Sequence, residues 1–151
     1  MRGPRDSAPG PNGPGSQAVS RETAFVLEAD DARFLTEVGM LAAGRGDLRH
    51  ADTIFNALRL LRPDRAYPLV GLAVARLNAG RAAEAARLLE DADLSDPEER
   101  AVARAWCGLA LQLSGRGAES RQALADAAAL PGEGGLLARR MLGLAEVSDG
   151  H

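Results

Sequence analysis

The sequence predicts an all-α protein, an array of three helix hairpins with a flanking helix at each end. Two observations carry this. Pro63, Pro97 and Pro131 stand 34 residues apart. Gly46, Gly80 and Gly115 each follow an apolar stretch, with Ala51, Ala85 and Ser120 five residues later and Phe55, Leu89 and Leu124 four beyond those. A fixed period of this length marks stacked units that bury their apolar faces on one another. Composition agrees: aromatic residues make up 3% of the chain, while alanine and leucine dominate, which suits close-packed helices better than a sheet.

The elements follow in order. Residues 1–17 form a Pro/Gly-rich tail, with four prolines and four glycines in the first 16 positions and almost nothing apolar. Such a stretch cannot bury enough surface to offset chain entropy and is expected to be disordered. The folded domain is expected over 18–147. Ser20 can cap a short segment to about Ala29 carrying Ala24, Phe25 and Leu27. Asp30 or Asp31 caps the first clear helix, whose Phe34, Leu35, Val38 and Leu41 make an apolar stripe. Asp47 caps the second, with Leu48, Ala51, Phe55, Leu58 and Leu61 facing inward until Arg62-Pro63 stops it.

A second unit repeats the plan. Pro68 suits a first helical turn, Leu69, Leu72, Ala73 and Leu77 follow, and the chain turns at Asn78-Ala79-Gly80. A helix over about 82–92 carries Ala85, Leu88 and Leu89. Asp96-Pro97-Glu98-Glu99 is a strong helix start: a capping aspartate, proline at the first position, then acids at the positive end of the dipole. That helix runs to about Leu113, turns at Ser114-Gly115 and is followed by a partner over about 118–129. A capping helix over about 133–146 shows Leu136, Leu137, Met141 and Leu144. The units fall at about 32–65, 66–100 and 101–131. The third is one residue out of phase, because Gly80 to Gly115 spans 35 residues.

Composition excludes several classes. All 18 basic residues are arginine, yet the net charge is −3, against the basic face that nucleic acid requires. The single cysteine, Cys107, cannot form an internal disulfide, which fits a reducing cytoplasm. No apolar run is long enough for a leader or a span, so no membrane insertion is expected. Trp106 and Cys107 read as core. His50 and His151 are far apart and lack partners at ligand spacing, so no metal or cofactor is expected. The acidic run Asp91, Asp93, Asp96, Glu98 and Glu99 reads as a solvated loop and cap. Gly44-Arg45-Gly46 and Gly132-Glu133-Gly134-Gly135 are helix-ending turns rather than phosphate loops. No set of nucleophile, base and orienting group is present, and the chain is expected not to be an enzyme.

Counting from Ala32, Ala66 and Ala101, position 8 holds Gly39, Ala73 and Gly108, position 15 holds Gly46, Gly80 and Gly115, and position 20 holds Ala51, Ala85 and Ser120. With a large apolar residue at 24 and proline at 32, this pattern resembles the tetratricopeptide repeat. It departs from that family at position 4 (Leu35, Leu69, Arg104) and position 11 (Ala42, Arg76, Leu111). The stretch from Thr53 to Leu61, continued by Gly71 to Leu77, is similar to the small three-repeat chaperones and accessory proteins of bacterial type III secretion.

The resemblance implies that the first helix of each unit lines a groove through positions 2, 5, 9 and 12. The client-binding residues it implies are Met40; Tyr67, Val70, Val74 and Leu77; and Val102, Ala105, Leu109 and Gln112. Arg33, Thr36 and Ala43 share those positions in the first unit. The groove is apolar where a carboxylate clamp would present cations, which suits an extended protein segment with hydrophobic anchors. The expected function is therefore a cytoplasmic chaperone that holds a hydrophobic segment of a secreted or assembling client, with a homodimer possible. The alternative is a constitutive scaffold subunit of a larger complex.

Overall fold

The computed structural model describes the backbone of residues 30–149 and the side chains of residues 31–143. The tail and the Ser20–Ala29 segment lie outside the described residues. The described residues from 36 onward form one compact unit, whose boundary falls inside the first described helix. Among the described residues there are seven helices: α1 (Asp30–Gly44), α2 (Leu48–Leu61), α3 (Tyr67–Asn78), α4 (Ala82–Glu90), α5 (Pro97–Leu113), α6 (Gly117–Ala128) and α7 (Gly132–Asp149). From α2 onward each packs on the next, while α3 also touches α5 and α5 touches α7. The fold is all-α, with helices packed in sequential pairs.

The repeat is visible in the backbone. Gly46, Gly80 and Gly115 take φ of 68°, 78° and 84°, a left-handed conformation costly for residues with a Cβ. At each turn the next N–H (Asp47, Arg81, Arg116) donates to the carbonyl five residues back (Ala42, Arg76, Leu111) at 2.9, 2.7 and 2.9 Å. The glycine N–H itself donates three residues back at 3.0 to 3.1 Å. Three turns thus share one Schellman closure. Five residues past each glycine, Ala51, Ala85 and Ser120 are buried.

Two of the predicted aspartate caps form, Asp47 accepting from the His50 N–H and Asp96 from the Glu99 N–H, whereas Asp30 and Asp31 both lie within α1. The proline period, however, does not mark one structural position. Pro63 lies in the loop before α3, Pro97 is the first residue of α5, and Pro131 immediately precedes α7. The cause is helix length. α2 has 14 residues and α4 only nine, stopping at Glu90 short of the expected 92. α3 has 12 residues and α5 has 17. The turn missing from the end of α4 is balanced by an extra turn at the start of α5.

Two expected core stripes are corrected. On α1, Phe34 is 62% and Leu41 64% exposed, while Gly39 and Ala43 are buried. A Cβ on Gly39 would come within 2.9 Å of Ile54 and Phe55, so α1 turns its small-residue face to α2. On α7, Leu136 and Leu137 are exposed while Gly134, Gly135 and Ala138 are buried. A Cβ on Gly134 would collide with the backbone of Ala101 and Val102. On α1 the glycine makes room for neighbouring side chains and on α7 for the α5 backbone, and in both helices the small residues rather than the large ones face inward.

Candidate functional site

The first helices of the units lie side by side. The Asn78 side chain at the end of α3 donates to the Ala43 carbonyl at the end of α1, at 3.0 Å. At the other end of α3, the Ala66 N–H donates to the Glu99 carboxylate of α5 at 2.6 Å. Next to α5, α7 takes the place that the first helix of a further unit would occupy.

This layer carries the residues implied for the groove. Met40 is 40% exposed and Gln112 is exposed, while Tyr67, Val74, Leu77, Val102 and Leu109 are half-buried. Two do not face an occupant. Val70 is buried, and Ala105 is fully buried in a cluster with Leu124, Ala127 and Ala138, against which Met141 and Leu142 pack. The small side chain at 105 serves the contact with α6 and α7, so it is removed from the candidate surface. What remains is apolar apart from the Gln112 amide and a phenol at Tyr67, over which the Arg65 guanidinium sits 5.7 Å from the ring centroid.

The other candidates resolve into structural roles. Cys107 is fully buried, and desolvation pushes its thiol up to about 11, the opposite of an activated nucleophile. His50 Nδ1 lies 2.7 Å from Asp47 Oδ2. That hydrogen bond, with the His50 backbone N–H, lowers the Asp47 carboxyl below its ordinary value. Asp96 and Glu99 both satisfy helix starts. Among the described residues no three His, Cys, Asp or Glu side chains gather as a metal site would need, and no helix is long and apolar enough to cross a membrane.

A second feature was not anticipated. A cavity of about 470 Å³ opens between the last turns of α2 and α4, lined by Arg59, Arg62, Arg65, Arg76 and Arg87 together with Glu84, Asp91 and Asp93. Its apolar walls are Pro63, Leu69, Leu88, Ala92 and Leu94. Two of its arginines are fixed from within the fold. Arg76 forms a two-pronged bridge to Asp52 at 2.7 and 2.9 Å, which raises its pKa above the ordinary value. Arg65 bonds Glu99 at 3.2 Å. The sequence signal was present only as arginines at the ends of two predicted helices, a pattern the helix dipole alone accounts for. Set against known proteins, the chain matches no family model, no curated protein and no solved structure.

Proposed function

We propose that the chain is a tetratricopeptide-like binding module. The layer of α1, α3 and α5 would hold an extended apolar segment of a protein client. The observation that carries this reading is the identical closure of the three turns at Gly46, Gly80 and Gly115, because it sets the first helices of successive units in one layer. The partly exposed Met40, Tyr67, Val74, Leu77, Val102 and Leu109 give that layer aliphatic and aromatic anchor points. Likeness to the type III secretion chaperones suggests a client that is secreted or assembled later, and a cytoplasmic holding role without catalysis.

The test is a pull-down from the native host with the full chain as bait, beside the variant Val74→Glu/Leu77→Glu. Wild type should retain a client that the variant loses, with the helical circular-dichroism signal unchanged. A client retained equally by both proteins removes the layer as its binding surface. Released on its own, the full chain should melt cooperatively, as a chaperone must between clients. A chain that aggregates unless a permanent partner is co-expressed would favour a scaffold subunit instead.

A further inference from the structure

The arginine-lined cavity lies on α2, α3, α4 and the loop that follows α4, and none of the groove residues lines it. Its origin is local. α4 ends at Glu90, where the Asp91 N–H still reaches the Arg87 carbonyl at 3.0 Å, and the chain then leaves the helix as loop 91–96. The space a further turn of α4 would have filled stays open beside the end of α2. A neighbouring hollow of about 370 Å³, lined by Asn56, Arg59, Leu60 and Pro63, shares Arg59 and Pro63 with it. Leu60, which lines the second hollow, is 86% exposed.

The charges divide into two kinds. Arg65 and Arg76 are held by Glu99 and Asp52 and serve the fold. The Arg59 and Arg87 side chains are exposed, and neither forms a hydrogen bond or ion pair with a described residue. They stand in the last turns of α2 and α4 and reach the same opening. Asp91 and Asp93 lie on the rim as well. A continuous polyanion such as nucleic acid would have to pass phosphates close to those carboxylates. A ligand with isolated carboxylates avoids them and can pair with both guanidinium groups.

We propose that this cavity is a second binding site, one that takes a short peptide segment in which an aliphatic or aromatic side chain is flanked by Asp or Glu. The apolar side chain enters between Leu69, Leu88 and Leu94. The flanking carboxylates bond Arg59 and Arg87, and the peptide runs on over Leu60. The site is independent of the groove on α1, α3 and α5, and its chemistry is different.

A displayed library of random dodecapeptides tests this, selected on the full wild-type chain and counter-selected on Arg59→Glu/Arg87→Glu. Selected sequences should place Asp or Glu beside Leu, Ile or Phe. A synthetic copy of the leading peptide, followed by fluorescence anisotropy, should lose affinity by about tenfold or more in the double variant and weaken as salt is raised. Leu60→Ser should weaken it further, whereas Val74→Glu/Leu77→Glu should leave it unchanged. If the charge reversal disturbs folding, Arg59→Gln/Arg87→Gln removes the charges without reversing them. Three results overturn the proposal: no enrichment of acids, equal binding to the variants, or displacement by inorganic phosphate with no preference for the apolar residue, which would leave a simple anion site.

Discussion

The backbone N–H of Ala66, at the start of α3, is capped from a different unit by Glu99, whose Oε1 lies 2.6 Å away while Oε2 accepts from Arg65 Nε at 3.2 Å. Ala66 has no side chain that could cap its own helix, and an orphan N–H at a partly buried helix start is costly. One carboxylate therefore closes α3 and ties the second unit to the third. Glu99 is also the residue whose N–H the Asp96 side chain accepts, so the two helix starts are linked through a single residue.

Glu99→Ala should lower unfolding free energy by about 1 kcal/mol, the usual worth of a capping side chain. Glu99→Gln, which keeps the acceptor oxygen and loses the charge, should cost less. Urea unfolding with an unchanged m value is the measurement. Equal stability of Glu99→Ala and wild type would show that the cap contributes nothing.

Phe55 is fully buried between two glycines. A Cβ on Gly39 would sit 2.9 Å from its ring, and one on Gly71 would collide with it. Gly71→Ala should therefore cost about 1–3 kcal/mol through overpacking. Phe55→Leu placed in the same chain should return part of that loss, a coupling visible in a double-mutant cycle. Strict additivity of the two changes would contradict the contact.

The turn glycines separate backbone strain from crowding. A Cβ on Gly80 meets nothing within 4 Å, whereas on Gly46 it lies 3.1 Å from the Asn78 carbonyl. Gly80→Ala should cost about 1–2 kcal/mol from the left-handed conformation alone. Gly46→Ala should cost more, and thermal melts of the two variants give the order directly.

Alkaline stability should report on Cys107. Its folded thiol holds a proton up to about 11, against an ordinary value of 9.0. Unfolded chain releases that proton first, so the contribution is complete below pH 9 and is lost as pH rises toward 11. With no lysine among the 18 basic residues, few other groups confuse the reading. In a Tyr67→Phe background, the fall in melting temperature over this window should flatten when Cys107→Ala is added. A slope that persists would place the titration elsewhere.

What could be read from the sequence was whatever local chemistry decides. Asp47, Asp96 and the three turn glycines were legible because caps and left-handed turns need particular residues within a few positions. The face of α1 was not. Its large side chains at Phe34 and Leu41 predicted the stripe, but Gly39 allowed a closer approach than those would permit. Ala105 was illegible for the same reason, since position 5 of a groove and a contact under α7 look alike in a sequence. The arginine cavity was the least legible. It depends on α4 stopping at Glu90, and neither glycine nor proline announces that stop.

The seating of α7 bears on how this array could be extended. Its inner face of Gly134, Gly135 and Ala138 is seated on α5 as the first helix of a fourth unit would be, but no second helix follows it within the described residues. Glu133, Arg139 and Arg140 are exposed to solvent on the same helix, beside Leu136 and Leu137. A further hairpin grafted after α7 would need that surface remade, with Glu133, Arg139 and Arg140 replaced by residues that can be buried without loss of charge solvation.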